Sequence, residues 1–267
     1  MDLKYIKENW TQKKNADNTA AIKAWDSVAK SFRMSTEIDM KEDPFLQLLD
    51  ARVPLDQNMS VLDIGCGGGG KAIALSKRVA SVTGIDFSKE MIASARESAR
   101  AFQTENVTFL CVDWRKEGSS FAGKYDLVFA HTTPAVADYE SLVNMMKASK
   151  KYCLFTKPAR RYDSVFDPIM DLAGIQKDRW DASIAWVFHT IWRHGCNPEI
   201  SYRDAIWESE KKIEETLDWY LGRLSAITNV DKTLEEKVID YLYSISTDGM
   251  VSETIHTKLV DIFWEVQ

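Results

Sequence analysis

The chain has 267 residues and a formal net charge of −6, and 45% of its residues are hydrophobic and 28% charged. These values describe a globular protein with a sizeable core, and they exclude a disordered chain or a collagen-like fibre. No apolar run approaches the roughly 20 residues that cross a bilayer, and residues 1–7 lack the apolar stretch of a signal peptide. We therefore expect a cytoplasmic protein that does not act at a membrane.

The N-terminal part of the chain predicts helices. Residues 1–20 are polar, and we expect a mobile arm or a frayed helix there. A helix with an apolar stripe at spacings of three and four then begins near Asn18. Pro44 opens a further short helix. Residues 1–50 are therefore expected to form a helical cap.

The middle of the chain alternates strand and helix patterns. Strands are predicted at 61–64, 80–86, 107–112, 125–130 and 152–156, and helices lie between them. This alternation is typical of a doubly wound, mostly parallel α/β sheet.

The pattern changes after Pro158. Helices are predicted within 163–173, along an apolar stripe from Trp180 to Ile191, along 213–224, and after a capping box formed by Thr233 and Glu236. Strands are expected at about 200–207 and between 250 and 266. There is no repeat, low-complexity tract or linker, so we favour one domain spanning 1–267.

The strongest motif is the run of five glycines within residues 65–70, directly after the strand at 61–64. Glycine permits positive φ and a close approach of the backbone to a ligand, and a bare turn rarely needs so many. Gly65, Gly67 and Gly70 fit the dinucleotide pattern G-x-G-x-x-G, and Asp86 follows at a suitable distance for a ribose. The spacing alone therefore leaves the ligand open.

Asp63 favours one ligand over the other. It lies two residues before the first glycine, where its carboxylate would repel the pyrophosphate of a dinucleotide. S-adenosylmethionine instead brings an ammonium and a sulfonium, which a carboxylate suits. Asp63 therefore favours S-adenosylmethionine over a nicotinamide cofactor.

At these residues the chain resembles the class I S-adenosylmethionine-dependent methyltransferases. Residues 63–69 match the family's acid-x-Gly-x-Gly-x-Gly motif, and residues 85–88 resemble the second motif, in which the acid, here Asp86, binds the ribose hydroxyls. Residues 111–114 resemble the third, which implies that Asp113 meets the adenine amino group while its neighbour Trp114 flanks the ring. Residues 126–131 resemble the fourth strand and its exit loop.

The resemblance implies a Rossmann-like fold with a seven-stranded sheet that ends in an antiparallel hairpin, for which 200–207 and 251–264 are the candidates. It makes 58–157 the cofactor-binding core and 158–267 the C-terminal half of the sheet with helical additions. The helices within 209–246 are an embellishment or a homodimer surface. The implied cofactor contacts are Asp63, Gly65, Cys66, Gly67, Asp86, Phe87, Met91, Asp113, Trp114, His131 and Trp25.

Trp25 enters this set because residues 24–32 resemble a Trp-x-x-x-Ala-x-x-Phe helix that lies over the cofactor in small-molecule methyltransferases. Simple core packing is the alternative interpretation. His131 is the candidate general base, since it ends a strand that faces the crevice. Contact with the cofactor or a hydrogen bond to Thr132 are its alternatives, and alignment with desolvation can suffice for methyl transfer.

The sequence thus predicts an enzyme, a transferase that methylates a small molecule with S-adenosylmethionine. Residues 131–134 depart from the Asn/Asp-Pro-Pro-aromatic motif of many amino-methylating enzymes, and the negative net charge gives no pull towards nucleic acid. The cysteines and histidines show no metal-binding spacing, so no metal is expected. The alternatives are a non-catalytic S-adenosylmethionine-binding protein and a nicotinamide-dependent oxidoreductase.

Overall fold

The computed structural model describes residues 2–11, 19–177 and 183–266. Its strands are β1 Ser60–Ile64, β2 Ser81–Asp86, β3 Val107–Cys111, β4 Tyr125–His131, β5 Ser149–Asp163, β6 Glu199–Lys212 and β7 Met250–Glu265. They form one sheet in the order β3-β2-β1-β4-β5-β7-β6. Neighbours among β1 to β5 are parallel, whereas β7 is antiparallel to both β5 and β6. The predicted seven-stranded, mostly parallel sheet with a final antiparallel pair is confirmed.

Helices cover both faces of the sheet. They are α1 Leu3–Asn9, α2 Thr19–Val28, α3 Pro44–Arg52, α4 Gly70–Ser76, α5 Lys89–Ala101, α6 Trp114–Glu117, α7 Tyr139–Ala148, α8 Phe166–Leu172, α9 Ser183–Arg193, α10 Ile213–Ser225 and α11 Lys232–Ile245, with 3₁₀ turns at Ala29–Phe32 and Gly118–Phe121. One core cluster joins α3, α4 and α5 to residues such as Phe129, and another joins α1, α7 and α9 to residues such as Phe155. The predicted helix start at Asn18 and the stripe residue Trp180 lie outside the described residues.

The N-terminal segment differs from its prediction. Ile6 is fully buried and Trp10 is almost so, and the Trp10 ring lies 6.0 Å from that of Trp186 on α9. Asp2 caps the helix by accepting a hydrogen bond from the Tyr5 amide at 2.8 Å. The expectation of a mobile arm is wrong for this helix, because two apolar side chains four residues apart anchor it to the core.

Strands β5 and β6 are longer than predicted. The ladder between β6 and β7 runs from Glu199 opposite Phe263 to Lys212 opposite Met250, well beyond the last residue of β4. We call this extension, with α8, α10 and α11, the arm. It encloses a core cluster of its own, which includes Phe166, Tyr220 and Leu242.

The start of α11 corrects a further prediction. Asp231 is its N-cap, and the Asp231 carboxylate accepts a hydrogen bond from the Leu234 amide at 2.8 Å. The expected box of Thr233 and Glu236 therefore lies inside the helix. Aspartate caps a helix at least as well as threonine, and here it comes two residues earlier.

Candidate active site

The glycine loop leaves β1 through three glycines with positive φ, at +70° for Gly65, +52° for Gly67 and +82° for Gly69. A Cβ at Gly65 would lie 2.0 Å from Thr133 Oγ1, and one at Gly68 would lie 1.9 Å from the Phe32 carbonyl oxygen. These two glycines are needed because other parts of the protein pack against their Cα atoms.

Gly67 has different surroundings. A Cβ added there would meet no described protein atom closer than Phe32 Cδ1, at 3.7 Å. Its amide donates a hydrogen bond of 3.1 Å to Asp86 Oδ2, which fixes the peptide across the end of β2. The bare Cα of Gly67 therefore faces open space, and a ligand could approach the backbone closely there.

Two adjoining cavities open at the carboxyl ends of the central strands. The residues that line both cavities are Trp25, Gly65, Asp86, Phe87 and Pro134. The site is therefore one elongated cleft at the point where an open α/β sheet places its ligands.

All eleven candidate cofactor residues line this cleft. The smaller cavity is lined by Asp113 and Trp114, and the larger is lined by Asp63, Cys66, Gly67, Met91 and His131. The remaining four, Trp25, Gly65, Asp86 and Phe87, line both. The fold thus brings together residues that are up to 106 positions apart in the sequence.

Asp86 ends β2 with its carboxylate held in place. Oδ1 accepts from the Ser88 amide at 2.9 Å and Oδ2 from the Gly67 amide at 3.1 Å. Burial raises the pKa of Asp86, and these two hydrogen bonds act against the shift. Each carboxylate oxygen still has a lone pair for a further donor such as a hydroxyl.

Asp63 is only 3% exposed, at the floor of the larger cavity. Burial, and secondly the nearby charge of Asp86, raise the pKa of Asp63 to about 8, while Lys71 lowers it. A cationic ligand beside Asp63 would favour the ionised carboxylate. Burial also raises the pKa of the Cys66 thiol, so Cys66 is not a thiolate nucleophile.

The smaller cavity ends at the first turn of α6. Asp113 caps this turn through the Arg115 amide at 3.1 Å. Trp114 is 2% exposed, and its Nε1 donates to the Ser141 carbonyl oxygen at 3.1 Å. Trp114 therefore forms a fixed apolar wall, since its polar atom is already satisfied within the protein.

A cluster of aromatic side chains covers the cleft. The Trp25 ring lies 6.1 Å from Phe32 and 5.6 Å from Trp219 of α10, both in edge-to-face geometry. Asp26, next to Trp25, accepts a hydrogen bond from Ser88 at 2.5 Å. The predicted covering helix, α2, therefore lies over the cleft. Trp219 on helix α10 of the arm packs against it. Sequence reasoning did not identify Trp219, because 194 residues separate it from Trp25 and no local motif marks it.

His131 lies at the far end of the larger cavity. Its Nδ1 is 3.2 Å from Thr132 Oγ1, and its ring centre is 4.4 Å from that of Phe45. Burial, then Lys71 and Arg203, lower the pKa of His131 to about 3. A neutral imidazole with so low a pKa is a weak base at neutral pH.

Two cations near His131 were not identified from the sequence. Lys71, on α4, pairs with Asp43 and lines the larger cavity. Arg203, on β6, pairs with Asp261 at 2.9 Å. Lys71 directly follows the glycine loop in the sequence, whereas Arg203 reaches the site only through the fold.

Comparison with known proteins agrees with this geometry. Residues 55–171 match a family model described as a methyltransferase domain. Residues 55–171 are thus similar to a methyltransferase domain, in agreement with the resemblance of the sequence to the class I S-adenosylmethionine-dependent methyltransferases. S-adenosylmethionine is the cofactor, and the bare Cα of Gly67 and the carboxylates of Asp63 and Asp86 suit it. No helix in the described ranges is long and apolar enough to cross a membrane.

Individual relatives are distant. The chain is 21% identical over 216 residues, 79% of either protein, to an uncharacterised protein of Haemophilus influenzae. It is 32% identical over 108 residues to a ubiquinone biosynthesis O-methyltransferase of Acinetobacter baumannii, a stretch that is 40% of this chain and 44% of that one. A solved structure from Bacillus halodurans, of a protein proposed to be a methyltransferase, aligns at a TM-score of 0.51 and 16% identity, over 83% of this chain and 98% of that one. At this identity the structural likeness shows the fold alone.

Proposed function

We propose that the protein transfers a methyl group from S-adenosylmethionine to a small, partly apolar acceptor. The observation that carries this proposal is the larger cavity. It is lined by the glycine loop with Asp63 and Gly67, and also by Phe32, Met34, Ile38, Lys71 and Thr132. This combination of a cofactor loop with apolar and polar side chains supports a cofactor bound next to a partly apolar acceptor.

The residues of the cleft suit the parts of the cofactor in order. Asp113 and Trp114 suit the adenine, and Asp86 suits the ribose hydroxyls. Asp63 supplies negative charge for the ammonium and sulfonium, and Gly67 leaves the backbone accessible. When bound, the cofactor supplies an electrophilic methyl group on sulfur.

The contribution of the chain to catalysis is alignment and the exclusion of water. Trp25 and Phe32 close the cleft on the side of α2, and the wall of Met34 and Ile38 is apolar. Holding two reactants in line can supply a large part of a displacement barrier without any protein nucleophile. His131 forms a polar part of the acceptor wall.

A small acceptor fits better than a polymer for two reasons. Trp25 and the arm cover the cleft, and the aromatic contact between Trp25 and Trp219 leaves no broad open groove at that end. The net charge of −6 also gives no electrostatic attraction to a nucleic acid backbone. The O-methyltransferase of ubiquinone biosynthesis that this chain resembles over 108 residues adds support for an oxygen acceptor.

The test combines calorimetry with turnover. We expect S-adenosylmethionine to bind and NAD not to bind, and S-adenosylhomocysteine to form with at least one member of a panel of catechols, phenols and carboxylic acids. Binding without any turnover across a broad panel would favour the non-catalytic alternative. Tight binding of NAD alone would instead indicate an oxidoreductase.

Asp86→Ala is the first variant to measure. Two charge-assisted hydrogen bonds from hydroxyls are lost, so affinity for S-adenosylmethionine should fall by at least about tenfold. Asp240→Ala, on the exposed face of α11, is the matched control and should bind like the wild type. Unchanged affinity in Asp86→Ala would remove the ribose assignment.

A further inference from the structure

A row of four polar side chains crosses the sheet beside the acceptor wall. His131 on β4 is opposite Thr156 on β5, and Thr156 is opposite Asp261 on β7. On β6, Ser201 is the ladder partner of Asp261, and Arg203 lies two residues further along the strand. Four strands that are neighbours in the sheet, β4, β5, β7 and β6, therefore contribute one side chain each, and all four side chains lie on the same face of the sheet.

Hydrogen bonds hold the far end of this row rigidly. Asp261 is 2% exposed and accepts from Thr156 Oγ1 at 2.5 Å. It also accepts from Arg203, through Nε at 2.9 Å and Nη2 at 3.4 Å. A two-pronged pairing with a buried carboxylate fixes the plane of the guanidinium.

The Arg203 guanidinium lies against His131. Arg203 Nη2 is 3.2 Å from His131 Nε2, and a guanidinium can only donate hydrogen bonds. Nε2 must therefore be the unprotonated, accepting nitrogen. The ring proton is then on Nδ1, where Thr132 Oγ1 can accept it at 3.2 Å.

We propose that Arg203 is a positioning residue that holds the ring proton of the neutral His131 on Nδ1, and so withholds Nε2 from proton transfer with the methyl acceptor. Its role in the reaction rests on the proposed function, but the protonation state can be tested without turnover. This assignment gives the histidine a defined structural role at the active site in place of a base.

The charges around His131 form two ion pairs, so their separate effects on the imidazole partly cancel. Lys71 approaches from α4 and also disfavours the imidazolium, while Asp43, which precedes α3, favours it. Asp43 is paired with Lys71, and Asp261 is paired with Arg203. Burial is the largest cause of the pKa of about 3, and Lys71 and Arg203 lower it further.

This arrangement narrows the class of acceptor. A neutral alcohol must lose a proton as it is methylated, and His131 cannot take that proton while Arg203 occupies Nε2. The acceptor atom is therefore one that does not need His131 as a base, such as a carboxylate, an ionised catechol or the lone pair of a neutral amine. With S-adenosylmethionine bound, such an atom would bond to the methyl carbon as the carbon–sulfur bond broke, and the sulfur would keep the electron pair.

The test is nitrogen-15 NMR of histidine side chains, in a chain that has four histidines. The His131 resonances are assigned as those absent from His131→Gln. In the wild type we expect His131 to stay neutral, with the Nδ1–H tautomer, from about pH 5 to about pH 8. In Arg203→Gln the pKa of His131 should rise but stay below the usual value of about 6.5, because burial and Lys71 still lower it, and the single tautomer should be lost.

Two further variants keep the test decisive. Arg193→Gln, on the exposed end of α9, removes a similar charge far from the row and should leave His131 unchanged. Arg203→Lys keeps the positive charge but lacks the planar guanidinium. The low pKa of His131 should therefore largely persist, while its tautomer is no longer fixed. This variant replaces Arg203→Gln in the test if Arg203→Gln does not fold. A wild-type His131 that titrates near pH 6.5, or an Nε2–H tautomer, would overturn the proposal. Calorimetry with S-adenosylhomocysteine on the same samples reports separately on the proposed function.

Discussion

Gly67 differs from the other glycines of its loop in what surrounds it. Gly65 and Gly68 are packed against Thr133 and Phe32, whereas Gly67 faces the cleft. A substitution at Gly67 therefore interferes with ligand binding, and one at its neighbours interferes with folding.

Gly67→Val should abolish cofactor binding while circular dichroism stays native-like. The valine side chain would project into the space that the cofactor needs, and the positive φ adds local backbone strain. Gly174→Val is the matched control, because Gly174 also has positive φ, at +68°, with open space around it but away from the cleft. Tight binding by Gly67→Val would mean that the cofactor does not approach this part of the loop.

Asp63 makes cofactor affinity depend on pH. Its pKa of about 8 means that it is mostly protonated in the free protein at neutral pH, and a bound cation lowers that pKa. Binding then releases a proton, so affinity should rise with pH from about 6 to about 7.5, approaching tenfold per unit. Over this range an α-amino group of pKa about 7.7–8.0 stays mostly charged.

Asp63→Asn is the control for this dependence, measured by calorimetry at each pH. Its affinity should be weaker and almost independent of pH. The folded pKa of Asp63 lies above its ordinary value of 3.8, so in the free protein its contribution to stability is greatest below about pH 4 and is lost as the pH rises through 8. A flat profile in the wild type would contradict the assignment.

At the scale of elements, α10 supports the helix that covers the cleft. Trp219→Ala removes the edge-to-face contact with Trp25. Such a pair contributes about 0.5–1.5 kcal/mol, so affinity for S-adenosylhomocysteine should fall by about 2- to 13-fold. Trp192→Ala, which removes an exposed tryptophan on α9, should have no effect on binding.

The sequence predicted the elements that carry contiguous motifs and missed those that depend on distant partners. The loop at 65–70 and the acids at 63, 86 and 113 are recognisable because each motif lies at the end of one strand. Arg203 and Trp219 reach the site across the sheet or from the arm, so nothing near them in the sequence marks them.

The length of β5 was missed for a local reason. Pro158 normally argues against a strand, yet β4 ends opposite Thr156, so one side of β5 has no strand partner beyond that point. The ladder between β5 and β7 is also irregular between Ala159 and Tyr162, where Arg160 has a φ of +48°. This irregularity interrupts the alternation of apolar and polar side chains that predicts a strand.

At the scale of the whole molecule, the arm has its own buried ion group. Asp163 is 1% exposed and lies 3.2 Å from Arg161 and 3.5 Å from Arg223. Although burial opposes it, hydrogen bonds and these two guanidinium groups hold the pKa of Asp163 below its usual value. The carboxylate thus holds two cations beside the core cluster of the arm.

Asp163→Asn should loosen the arm more than the sheet, because it leaves two partly buried cations without their shared anion. Hydrogen exchange read by mass spectrometry should be roughly tenfold or more faster in α10 and α11, with β1 to β4 nearly unchanged. Asp204→Asn, which removes an exposed partner of Lys258, is the control. Uniform acceleration throughout the protein would show that the arm does not open on its own.

The sheet order also determines when the arm can form during synthesis. Strand β7 lies between β5 and β6, although it is made after both, so β6 has no partner in the sheet until residues 250–265 have emerged. The parallel strands β1 to β5 can pair earlier, because their partners are already present. Closing the β5-to-β7 ladder joins residues about 100 positions apart, and such long-range pairing is slow because of the entropy lost in closing the intervening chain. The support for the covering helix and the guanidinium beside His131 are therefore among the last parts of the protein to be put in place.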